Sequence, residues 1–107
     1  MSTSYPNTNL YIDGRWQPAA SGDTIDVINP ANEEVIGTVA RAGTSDLDEA
    51  LSAADKAFKI WKNTSAFDRY KILRKAADLL RQRADVIAQI MTIEQGKLLA
   101  ESKGETL

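Results

Sequence analysis

Few residues in this chain have the type and spacing to hold a ligand, and Glu94-Gln95-Gly96-Lys97 is the first to weigh. A carboxylate at a helix end is a hard oxygen donor suited to a cation; the plain alternative is a solvated helix terminus. Glu33-Glu34 offers a second pair of carboxylates, but neighbours on a strand point to opposite faces, so the rim of a turn is the better reading. Asp13-Gly14-Arg15-Trp16 could set an arginine beside an aromatic ring, or simply be a hairpin turn followed by a packed tryptophan. The chain has no cysteine and no histidine. That removes disulfides, thiolate nucleophiles and cysteine-ligated metals, together with the side chain most used as a general base near neutral pH. The six glycines are scattered singly, so there is no phosphate-cradling loop. No catalytic and no cofactor-binding residue is assigned in this chain.

Charge is unevenly placed. The 107 residues carry a net charge of −2. Lys56, Lys59, Lys62, Arg69, Lys71, Arg74, Lys75, Arg81 and Arg83 nevertheless cluster against only Asp68 and Asp78. Such a stretch is either an electrostatic footprint for nucleic acid or a helical surface that is solvated or meets an acidic neighbour. Phe58, Trp61, Phe67 and Tyr70 fall mostly on apolar helix faces, which favours the second reading. An apolar fraction of 43% and a charged fraction of 26% are ordinary for a globular chain. At this length the chain is one domain or part of one. No apolar run approaches the roughly 18–20 residues that span a bilayer. The start, Met1-Ser2-Thr3-Ser4-Tyr5-Pro6, has neither the basic nor the apolar part of a signal peptide. A cytoplasmic protein with no membrane and no nucleic-acid partner is expected.

The elements that must position these residues divide into two halves. Leu10-Tyr11-Ile12, the turn signal Asp13-Gly14 and Arg15-Trp16 predict a hairpin. Ser21-Gly22-Asp23 marks a turn, and Asn29-Pro30-Ala31-Asn32 links two further β-prone runs. Strands are therefore expected near 9–12, 14–17, 24–28 and 34–41. After Gly43 the period changes to 3–4 residues. Ser45-Asp46-Leu47-Asp48 has capping-box spacing, with the Ser45 hydroxyl expected to accept a first-turn amide and the acids placed where the helix dipole favours them. Leu47, Ala50, Leu51, Ala54, Ala57, Phe58 and Trp61 then form one apolar face, whose alanines suggest close packing on another element. Ser65 with Asp68 repeats the cap signature for a second helix to about Arg81. The apolar phase shifts at 82–85, a third helix carries Ala84, Ile87, Ile90 and Met91, and Gly96 suits a helix C-terminus. A last helical stretch opens at Leu98 and stops after barely two turns, which is marginal alone. That ending leads us to expect a truncated chain. Its unpaired apolar faces predict self-association.

In this order, the pieces resemble the N-terminal region of the aldehyde dehydrogenase superfamily. The carrying residues are Leu10-Tyr11-Ile12-Asp13-Gly14-Arg15-Trp16, Ile28-Asn29-Pro30-Ala31-Asn32-Glu33-Glu34-Val35-Ile36-Gly37, the Leu47–Trp61 helix, Arg69-Tyr70-Lys71-Ile72-Leu73, and Ile93-Glu94-Gln95-Gly96-Lys97 with Leu99-Ala100-Glu101. Glu-Gln-Gly-Lys followed by Leu-Ala-Glu and by Gly104-Glu105 is most similar to the succinate-semialdehyde dehydrogenase branch, from which Leu98 departs where proline is common.

The resemblance implies an α/β, Rossmann-like family fold. Residues 1–8 would be a flexible leader, and 9–107 part of an N-terminal cofactor-binding domain, with strands and hairpins followed by three to four helices. It implies an oxidoreductase in which NAD or NADP takes a hydride from an aldehyde after a cysteine attacks it. That cysteine is not in this chain, which is expected to be inactive alone and to bind neither cofactor tightly. The partners implied are the remainder of the subunit and further copies in a homo-oligomer. The resemblance also implies a monovalent cation held by a backbone carbonyl and an acid, matching Val27 and Glu94. A stand-alone helical interaction module remains the alternative, with a basic-helix nucleic-acid-binding domain less favoured.

Overall fold

The computed structural model describes residues 4–107. Among them, β1 (Leu10–Ile12), β2 (Arg15–Gln17), β3 (Thr24–Ile28) and β4 (Val35–Ala40) precede α1 (Thr44–Trp61), α2 (Ala66–Gln82), α3 (Ala84–Gln95) and α4 (Leu99–Thr106). The strands pair as β1–β2 and as β3–β4. The chain divides into two compact units. One comprises 6–26 with 37–64; the other comprises 27–36 with 65–107, together with Ser4 and Tyr5.

In the first unit, Asp13 (φ 51°) and Gly14 (φ 76°) both take positive φ, the conformation that a tight hairpin turn of matching twist requires. The register pairs Leu10 with Gln17, Tyr11 with Trp16 and Ile12 with Arg15. One face of this ribbon therefore carries Tyr11 and Trp16, with ring centroids 4.9 Å apart, and the other buries Ile12. Trp16 is 66% exposed, so the expected packed tryptophan is corrected: strand alternation sends it away from the side that Ile12 buries. Thr8 lies alongside β4, donating to Thr38 O at 2.9 Å and accepting from Ala40 N at 2.8 Å.

The start of α1 also corrects the sequence reading. Its N-cap is Gly43, and Ser45 lies within the first turn. The carboxylate of Asp46, three residues beyond the cap, accepts the Gly43 amide at 2.9 Å. The same group accepts the Ala20 amide at 3.1 Å, and Asp46 is buried. One acid thus satisfies a free helix-end donor and anchors the β2–β3 loop, a tertiary partner that Ser45 lacks. Along α1, Ala50, Ala53, Ala54 and Ala57 face Tyr11, Ile12, Asp13 and Gly14 across an open groove of about 330 Å³. Close packing is the expectation for Ala50, Ala54 and Ala57, of which Ala54 and Ala57 remain exposed beside this groove. Leu47, Leu51 and Phe58 are exposed.

In the second unit, the turn joining β3 to β4 is held by its own polar groups. Asn29 Oδ1 accepts the Ala31 amide, and Glu33 (φ 61°) donates its amide to Asn29 O at 2.8 Å. Asn29 N–H donates to Glu34 O at 2.9 Å. Ser65 caps α2, accepting the Asp68 amide at 3.1 Å. The helix breaks at Arg83 (φ −100°, ψ 9°), whose amide is shared between Leu79 O and Leu80 O. This is the expected phase shift. Gly96 ends α3 at φ 74°, donating to Thr92 O at 2.9 Å.

The α3–α4 pair makes the densest packing between helices. Ser102 is fully buried, and its hydroxyl meets that of Thr92 at 2.8 Å. Lys103 pairs with Asp85 at 2.9 Å and Lys97 with Glu105. Ala84 and Ala88 complete the core of this unit. Small residues let the helix backbones approach, which gives the short α4 the tertiary support that its own length does not supply.

Candidate functional site

Glu94 sits on the last turn of α3, a turn that contains no basic residue. The C-terminal end of a helix carries partial negative charge. A carboxylate there is poorly placed by itself and adds to a field that attracts cations. Its Oε2 accepts the Tyr5 hydroxyl at 2.9 Å. Burial comes first in raising the Tyr5 phenol above its usual pKa, followed by the hydrogen bond to Glu94 and that carboxylate's charge. The phenol is therefore a protonated donor throughout the neutral range. Sequence reading places Tyr5 in a leader of residues 1–8. Residues 1–3 lie outside the described residues, while Tyr5 bonds Glu94 and Thr8 bonds the backbone of Thr38 and Ala40. No local pattern could have found Tyr5, because its partner lies 89 positions along the chain.

Two residues beyond Glu94, Gly96 is fixed by more than its φ. A Cβ at this position would lie 2.9 Å from Pro30 Cγ, inside any tolerable contact. The Asn29–Pro30 turn and the end of α3 are thereby brought together. Val27, half-buried near the end of β3, belongs to the same compact unit as Glu94. Lys97, adjacent in the motif, turns to Glu105. Among the described residues no group of three or more His, Cys, Asp or Glu side chains could enclose a metal ion. The donors that remain, a carboxylate and backbone carbonyls, are hard oxygens.

The other sequence candidates are dispersed. Glu33 and Glu34 stand on a turn rim, with Glu34 accepting from Asn32 Nδ2. Arg15 lies opposite Ile12 in the register, on the other strand face from the Tyr11–Trp16 pair. Cations of the basic stretch are partly neutralised by their own helices: Lys59 with Asp55, Lys71 with Asp68, and Arg74 and Arg81 with Asp78. Lys62 and Lys71 place their ammonium groups near the Phe58 and Phe67 rings, at 5.9 and 4.6 Å from the centroids. No helix among the described residues is long and apolar enough to cross a membrane.

The chain is 48% identical over 95 residues to a glutarate-semialdehyde dehydrogenase of Pseudomonas putida, covering 89% of this chain and 20% of that protein. An aldehyde dehydrogenase structure from Brucella melitensis biovar abortus is 48% identical with a TM-score of 0.91, over 94% of this chain and 21% of that one. An NAD-dependent aldehyde dehydrogenase structure from Sinorhizobium meliloti is 36% identical with a TM-score of 0.92, over 97% and 21%. The chain thus spans about a fifth of the length of the relatives it matches. Short hairpins followed by four helices are the N-terminal portion of the α/β fold of these neighbours. Neither the stand-alone helical module nor the basic nucleic-acid binder is favoured by this set of relatives. The aldehyde dehydrogenase family model matches residues 16–107, from the first hairpin through α4, and on that continuous match the chain belongs to the aldehyde dehydrogenase family.

Proposed function

We propose that this chain is the N-terminal part of an NAD- or NADP-dependent dehydrogenase that oxidises the semialdehyde of a short dicarboxylic acid to the diacid. The observation that carries this reading is the family match across residues 16–107. The Glu94-Gln95-Gly96-Lys97 motif supports the succinate-semialdehyde branch, and the relative named for glutarate semialdehyde supports the same substrate class with one more methylene. Residues 9–107 build part of the cofactor-binding domain. The nucleophilic cysteine, the water-activating glutamate and the cofactor contacts come from the remainder of a cytoplasmic, homo-oligomeric subunit.

Val27, through its carbonyl, and Glu94, through its carboxylate, contribute to a monovalent-cation site. The fit rests on Glu94: an acid on a helix C-terminal turn without a compensating base. Two protein oxygens are fewer than a hard cation takes, so this segment alone holds the ion weakly.

The complete subunit is expected to reduce NAD or NADP, followed at 340 nm, with succinate or glutarate semialdehyde, while residues 1–107 give no turnover. Turnover by the purified 107-residue chain, or none by the complete subunit with either semialdehyde, would overturn this reading.

A further inference from the structure

Tyr5 and Glu94 are 89 positions apart, yet their side chains meet at 2.9 Å. The phenol donates to Oε2 only; among the described residues, Oε1 has no hydrogen-bond partner. A carboxylate on an exposed helix end otherwise rotates freely and can present either oxygen, or both, to an ion. A donor fixed on one oxygen removes that freedom. It sets the rotamer and leaves a single oxygen for coordination. Supporting hydrogen bonds to ligating groups act in this way, and their loss typically weakens ion affinity by about 10–100-fold.

We infer that Tyr5 is a positioning residue for the Glu94 cation ligand: it occupies Oε2 and presents Oε1 as a one-oxygen donor. The inference rests on the cation-site reading above. It also gives the segment before β1 a task, which is to carry a phenol to the end of α3.

The test uses the complete subunit as wild type, Tyr5→Phe and Glu94→Gln. Thermal melting is followed across a series of NaCl or KCl concentrations, with choline chloride at equal ionic strength as the reference. An ion that binds only the folded state raises the melting temperature with a half-effect concentration set by its affinity. Wild type is expected to show a rise with sodium or potassium that choline does not reproduce. Glu94→Gln should abolish that rise, and Tyr5→Phe should move its half-effect concentration upward by about tenfold. If Glu94→Gln keeps the wild-type rise, the cation-site reading fails and this inference with it. If Glu94→Gln loses the rise but Tyr5→Phe keeps the wild-type half-effect concentration, the inference alone fails. A Tyr5→Phe melting temperature lowered equally in sodium and choline, with that concentration unchanged, assigns Tyr5 a purely structural role and likewise overturns it.

Discussion

Gly96 shows how two constraints can meet on one residue. Its φ of 74° is accessible to alanine only at a cost of about 1–2 kcal/mol. Its missing Cβ leaves room for the Pro30 ring, which would otherwise stand 2.9 Å away. Gly22 separates the two effects, because at φ 79° it has nothing within 4 Å of the same virtual atom. Urea unfolding is therefore expected to show Gly22→Ala destabilised by about 1–2 kcal/mol and Gly96→Ala by about 2–4 kcal/mol, the excess coming from overpacking against a ring that cannot rotate aside. Equal losses at the two sites would remove the Pro30 contact from the account. The helix-ending role of Gly96 is legible in the sequence, because glycine follows the last periodic residue. The contact with Pro30 is not, because no local pattern records a partner so far along the chain.

At the scale of elements, α1 depends on a residue to which sequence patterns assign a lesser role. By pattern, Asp46 is one of three acids favoured by the helix dipole, and Ser45 is the cap. In the fold, Asp46 is buried and holds the amides of Gly43 and Ala20, while Asp48 stays exposed. Asp46→Ala would strip the acceptor from both donors, and each part-buried hydrogen bond to a charged acceptor contributes about 1.5–3 kcal/mol. A loss of about 2–4 kcal/mol is expected in chemical denaturation for Asp46→Ala, against under about 0.5 kcal/mol for Asp48→Ala. Comparable losses for the two would show that the dipole, not the two amides, sets the value of Asp46. Helix α4 makes the complementary point. Its two turns are marginal alone, and its buried Ser102 finds a partner in Thr92 of α3.

For the whole molecule, these faces predict association. Leu47, Leu51, Phe58, Phe67, Tyr70 and Leu73 are all exposed, far more large apolar surface than a chain of this size leaves in water when its faces are covered. Residues 1–107 by themselves are expected to sediment with a weight-average mass that rises with concentration. A single species of 11.7 kDa across the micromolar range would refute this. The sequence by itself determined the elements, their order and the family, because turn residues, caps and apolar periodicity are local and keep their meaning wherever the chain lies. It also placed Glu94 on a helix end. Only the tertiary structure decided that Asp46, not Ser45, secures the start of α1, that Trp16 faces outward, and that Tyr5 reaches Glu94. Each of those depends on a partner tens of residues away, or on which strand face is covered, and both are settled by packing.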